Sequence, residues 1–80
     1  MRLSAKRWDW LRKSWHLTPR EIDVAKLVGG GLNNDQISRK LHIAYNTVRC
    51  HLVNICGKVG VRGRGGLILH FVEVLNRAKL

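Results

Sequence analysis

An all-α fold is what this sequence predicts, and three observations predict it. Short amphipathic runs with apolar residues three and four apart fill residues 17–62, LTPREIDVAKLVGGGLNNDQISRKLHIAYNTVRCHLVNICGKVGVR. Capping residues and glycines mark where those runs begin and stop. Two of the runs share a joint of four residues, His42-Ile43-Ala44-Tyr45, and the second run is the longer, which is the pattern of a helix-turn-helix.

Residues 1–16, MRLSAKRWDWLRKSWH, stand apart in composition, carrying all three tryptophans and five basic residues. Trp8, Leu11 and Trp15 fall on one helical face, with Lys6, Arg12 and Lys13 mostly elsewhere. The leading expectation is an extra helix packed on the domain. A basic arm touching DNA, a docking helix for another protein and a membrane-surface helix are the alternatives. The chain thus divides into a Trp-rich basic segment, 1–16, and a helical domain, 17–80.

Thr18-Pro19-Arg20-Glu21 starts the next helix: Thr18 caps, Pro19 takes the first helical position and Glu21 completes a capping box, with Leu17 as a hydrophobic staple. That helix runs to about Val28, with Val24, Ala25 and Val28 inward, and Gly29-Gly30-Gly31 stops it because glycine accepts a positive-φ cap. Asn33, with Gln36 three residues on, caps a short helix from Asn34 to Leu41 that buries Ile37 and Leu41. After the joint, anchored by Ile43, a third helix from about Tyr45 to Val59 puts Val48, Leu52, Ile55 and Val59 inward. Asn46, Arg49, Cys50, Val53 and Asn54 then face outward, and Gly60 ends the helix. Gly63-Arg64-Gly65-Gly66 reads as a loop or loose helix start, and Leu67 to Ala78 as a fourth helix. Its apolar surface is wider than one stripe, with 68, 71, 72 and 75 on one face and 67, 74 and 78 beside it. The surplus suggests a second copy of the chain as partner.

Composition bounds the function. Eighty residues make one small core, and 15 Lys and Arg against 5 Asp and Glu give a net charge of +10, which favours polyanions, nucleic acid first. With 45% hydrophobic and 25% charged residues the chain is globular. No run approaches a membrane span, and the first sixteen residues lack the apolar core of a signal peptide. Cys50 and Cys56 lie on one helix with about 9 Å of rise between them. They cannot pair, which points to a reducing cytoplasm. They also project to opposing sides, so His42, Cys50, His51 and Cys56 do not make a zinc set. No paired carboxylates, nucleophile elbow, phosphate loop or HExxH occurs, so neither an enzyme nor a cofactor is expected.

The residues Leu17-Thr18-Pro19-Arg20-Glu21, Gly31-Leu32-Asn33-Asn34, Ile37, Leu41, Ile43, Thr47-Val48-Arg49, His51-Leu52, Ile55, Lys58 and Val61-Arg62 resemble the DNA-binding domain of LuxR/FixJ-type transcription regulators. The family pattern is roughly LTxRE…GxSNKEIAxxLxISxxTVKxHxxxIxxKLxVxxR. The resemblance implies a four-helix LuxR-type domain, here with an added N-terminal segment, whose third helix enters the DNA major groove. It implies base-facing roles for Asn46, Arg49, Cys50 and Val53, and phosphate-facing roles for Asn34, Thr47, Asn54, Lys58 and Arg62. It also implies a two-fold contact through the fourth helix, expected at Leu67, His70, Phe71 and Val74.

The function so implied is a sequence-specific, double-stranded-DNA-binding transcription regulator acting as a homodimer in the bacterial cytoplasm, associated with the nucleoid. RNA polymerase or a second regulator is a further candidate partner, and a membrane is not. The chain has no room for a receiver domain, so it resembles the stand-alone members, with a fragment of a longer regulator as the alternative. A protein-binding helix-turn-helix module, like sigma-factor region four, is the second functional reading; a charge-driven, non-specific nucleic-acid binder is the third. Ala44 stands where the family usually has a serine cap, a loss of about 1 kcal/mol. His42 stands where glycine is common.

Overall fold

A computed structural model describes residues 5–77, and the side chains of all of these except 5, 7 and 75–77. Five helices follow one another: α1 (Ala5–Trp15), α2 (Pro19–Gly29), α3 (Asn34–Leu41), α4 (Tyr45–Val59) and α5 (Gly63–Arg77). Among the described residues there is no strand. Both expected capping boxes close. The Glu21 N–H donates to Thr18 Oγ1 at 3.2 Å and the Thr18 N–H to Glu21 Oε1 at 2.8 Å. The Gln36 N–H donates to Asn33 Oδ1 and the Asn33 N–H to Gln36 Oε1, each at 2.8 Å.

The first four helices end in one way. A residue in the left-handed region (His16, Gly31, His42, Gly60) is followed by an apolar residue whose N–H bonds back to the helix. Leu17 donates to the Arg12 carbonyl, Leu32 to Leu27, Ile43 to Ser38 and Val61 to Cys56, at 3.0–3.1 Å. Each closure takes up an otherwise unpartnered carbonyl and turns an apolar anchor back onto the domain. Of the three glycines expected to stop α2, only Gly31 needs a positive φ (89°); Gly30 remains right-handed at −78°.

One core joins all five helices. Val24, Ala25, Val28, Ile37, Val48 and Ile55 are buried as their spacing predicts, and Trp8, Leu11, Ile22 and Cys56 are buried with them. Trp8 and Leu11 bring α1 into that core, as a packed helix. The Trp8 ring meets Phe71 edge-on at 5.5 Å, and Trp15 lies 6.0 Å from Phe71 and 5.2 Å from His70. Such aromatic pairs add about 0.5–1.5 kcal/mol beyond the area they bury.

Two expectations for the last helix need correction. The stretch 63–66 is helical from Gly63, and Gly66 has a packing reason: a Cβ there would lie 3.3 Å from the Val61 Cβ, so the loop approaches α5 closely at that point. Leu67 and Phe71, expected at a two-fold contact, are each 0% exposed: α5 lies against α4 and α2, and Trp8 and Trp15 of α1 pack on Phe71. His70 and Val74 are half-buried against the same side, with Trp15 over His70. The outward apolar residues are instead Leu69, 66% exposed, and Val72, 38% exposed. The side chain of Leu75 and the whole of Ala78, also assigned to this apolar surface, lie outside the described residues.

The buried carboxylate of Glu21 is the main polar element of the core. Its side chain is 5% exposed, and Oε1 accepts from Lys58 Nζ at 2.6 Å as well as from the Thr18 N–H. Burial alone would raise this carboxyl's pKa, but the Lys58 ammonium and the Thr18 N–H outweigh it and hold it below its ordinary value. The stabilisation is therefore complete above the unfolded glutamate value of about 4.3 and is lost as pH falls through the lower folded value. Glu21→Gln should cost about 1–3 kcal/mol in urea denaturation at neutral pH, since it removes a charged hydrogen-bond acceptor. The gap to the parent chain should narrow as the pH is lowered past that range; a gap independent of pH would contradict the ion-pair account.

Candidate nucleic-acid interface

Helices α3 and α4 are set by the joint between them. His42, at φ 55°, ends α3, and Ser38 Oγ donates to the Ile43 carbonyl at 2.7 Å, a second tie across the turn. Ile43 is half-buried and anchors the joint. Ala44 then begins α4 in an extended conformation without a side-chain cap bond. The first N–H groups of α4 are therefore left for water or an external acceptor.

With Val48, Leu52 and Ile55 facing the core, the opposite side of α4 presents Asn46, Arg49, Cys50, Val53 and Asn54, all exposed and together lining one open concavity. Val53 is 70% exposed, a large apolar surface at the centre of a polar helix face. Thr47, in the first turn, is exposed beside them. Helix α4 contains no acidic residue. The carboxylates at Asp9, Asp23 and Asp35 are engaged by basic neighbours on their own helices, and Glu21 by Lys58. Among the described residues Arg49 has no acidic partner, so this face carries uncompensated positive charge.

The remaining phosphate-facing expectations divide. Arg62 is exposed just beyond α4. Lys58 is not on the open face: its ammonium donates to Glu21 and, at 3.1 Å, to the His16 carbonyl. Asn34 is half-buried and its Oδ1 accepts from Arg64 Nη1 at 2.7 Å, tying the first turn of α3 to the first turn of α5. Arg64 also borders Val53 and Gly57 along a second groove. Arg62 is the arginine that the family resemblance assigns to phosphate, and Arg64 is not among the residues so assigned. The signal was present, because the closing arginine of the family pattern stands three residues after its valine, which from Val61 is position 64.

The two cysteines differ as their positions on α4 predict. Cys50 is exposed in the concavity and Cys56 buried. Burial pushes the Cys56 thiol pKa up, which keeps it protonated as a donor to the Gly63 carbonyl at 3.5 Å. It serves packing at the α4–α5 junction.

The helix-turn-helix and its bare basic face define a class that comparison makes specific. The family model for bacterial regulatory proteins of the luxR family matches residues 16–71, and the chain belongs to that family. Among its relatives is the transcriptional regulatory protein LnrK of Bacillus subtilis, 50% identical over 57 residues, which are 71% of this chain and 26% of that protein. The nitrate/nitrite response regulator protein NarL of Escherichia coli K12 is 39% identical over 62 residues, 78% of this chain and 29% of that protein. The HTH-type transcriptional regulator MalT of Cronobacter sakazakii is 37% identical over 59 residues, 74% of this chain and 6% of that protein. The chain thus spans under a third of the length of each of these relatives. No solved structure matches it.

The uncapped start of α4 makes a direct prediction. Ala44→Ser supplies the missing acceptor and should stabilise the chain by about 1 kcal/mol. That corresponds to a rise in Tm of roughly 4–8 °C for a domain of this size. No rise would mean that the α4 N–H groups already have a partner.

Proposed function

We propose that this chain is a sequence-specific double-stranded-DNA-binding transcription regulator that acts as a homodimer and lays α4 in the major groove. The observation that carries the proposal is the exposed, acid-free face of α4 on a luxR-family helix-turn-helix. An α-helix fits the major groove, where base edges carry a distinct donor and acceptor code. Arg49 can bond guanine O6 and N7 together, and Asn46 can do the same for adenine N6 and N7. Cys50 and Val53 can contact thymine methyl groups. Thr47, Asn54, Arg62 and the Asn34–Arg64 pair would meet the phosphate backbone, and Lys58 takes the internal role of holding Glu21. No cofactor enters this reading, which is that of a cytoplasmic protein.

Polar base readout of this kind is thin, so DNA shape and phosphate contacts would supply a larger share of the specificity. The high exposure of Val53 is also what favours the second reading, a helix-turn-helix that grips protein. Labelled duplexes titrated against sequence and salt separate the two. Arg49→Ala should relax discrimination by about 1–3 kcal/mol at one base pair. Arg64→Ala should weaken all duplexes alike and reduce the salt slope by about one. Equal affinity for every duplex would remove sequence specificity, and no binding at low salt would leave the protein-binding reading.

For the homodimer, the outward residues Leu69 and Val72 of α5 are the proposed contact, since Leu67 and Phe71 are occupied internally. Leu69→Asp should give monomers in sedimentation and weaken binding to palindromic sites without unfolding the chain. An unchanged mass would exclude α5 as the interface.

A further inference from the structure

We infer that the outer face of α1 is a docking surface for an acidic protein segment, with Trp10 as its apolar anchor and lysines at its rim. Helix α1 holds all three tryptophans of the chain. Trp8 is buried and Trp15 half-buried in the core, whereas Trp10 is 59% exposed. Two residues from Trp8, it lies about 200° around the helix and faces away from the domain.

A single exposed apolar residue is ordinary on a protein surface. Here the setting decides. Lys6 stands one turn before Trp10 and Lys13 about one turn after, both exposed. The lone carboxylate on α1, Asp9, is shared by Arg12 at 3.1 Å and Lys13 at 3.2 Å, so the described cations of α1 outnumber it. These exposed pairs are weak and exchange readily for another carboxylate. An indole flanked by mobile cations matches an acidic segment that carries an apolar side chain: tryptophan fills a pocket at the centre, and the charges select the partner at the rim.

Other occupants fit less well. A second copy would bring Lys6 and Lys13 against themselves in a chain of net charge +10. A lipid surface needs an apolar helix face, but Trp8 and Leu11 are already in the core, leaving one indole to insert. Duplex DNA would satisfy the lysines but offers the indole no unstacked base. Moreover, α1 packs on α2 and α5, away from the open face of α4. The surface lies outside the family-matched residues 16–71 and does not depend on the DNA-binding reading.

Fluorescence of the full chain tests this, because acrylamide quenching reports chiefly on Trp10. The probes are a synthetic peptide of glutamates interspersed with leucine and phenylalanine, vesicles of phosphatidylserine and phosphatidylcholine, and a random-sequence duplex. The peptide should shift emission to the blue and protect against quenching. Its affinity, read from the anisotropy of a fluorescein carried on the peptide so that chains lacking Trp10 can be compared, should fall about tenfold or more in Trp10→Ala. It should fall in the double variant Lys6→Glu, Lys13→Glu, and stay unchanged in Arg49→Ala. Circular dichroism checks that each variant retains its helices, which alanine at an exposed helical position favours. Equal peptide affinity in Trp10→Ala overturns the proposal. So does protection of Trp10 by vesicles or duplex rather than peptide, or by none of the three.

Discussion

One carboxylate oxygen holds the arrangement together. Glu21 Oε1 receives the N–H that starts α2 and the ammonium of Lys58 near the end of α4, and that ammonium also caps the His16 carbonyl at the end of α1. A carboxylate so deeply buried would be costly alone, and it is tolerated because each contact answers a group that would otherwise be unpartnered. A buried ion pair is weak evidence for net stability. Its consequence is positional: the C-terminal end of α4 sits where a lysine can reach both α2 and the end of α1. The orientation of the outward face of α4 follows from that restraint and from the joint at His42.

The aromatic cluster completes the core from the other side. Without Trp8, Phe71 of α5 would lose the edge-on aromatic partner that covers it. In a chain this short the fraction of surface buried is low, and a few large side chains carry much of the apolar contribution. Residues before the family-matched segment are thus structural as well as accessible, with opposite faces of α1 serving the two conditions.

Local features were legible in the sequence and distant ones were not. Thr18, Glu21, Asn33 and Gln36 announce helix starts because capping acts across three residues. Val48, Leu52 and Ile55 announce the inner face of α4 because periodicity is written along the chain, and the outward set Asn46, Arg49, Cys50 and Val53 follows by subtraction. The inner stripe of α5 could not be chosen this way. Leu67, Ile68, Leu69, Phe71 and Val72 spread over about 200° of the helix circumference, and which part is buried depends on where α4, α2 and α1 lie against it. Lys58 looked like a free surface cation because its partner Glu21 is far away in sequence, and the tie from Arg64 to Asn34 is likewise hidden by distance along the chain, although the family pattern marks position 64 itself. A side chain's freedom is a tertiary property, and charge alone does not reveal it.

The shared ending of the first four helices bears on how such a domain can change over generations. At each ending the geometry resides in backbone hydrogen bonds and in the apolar residue that follows, while the left-handed residue itself is exposed. Two of those residues are glycine and two are histidine. A histidine there carries roughly 1–2 kcal/mol of left-handed strain, more than the roughly 0.4–1 kcal/mol a glycine loses through the entropy of the unfolded chain. Glycine is the less strained choice at such a corner, and His16 and His42 are held there by the bonds on either side of them. Exchange between the two residue types would therefore alter stability at the corners without rotating any helix axis, and the groove-facing helix would keep its pose.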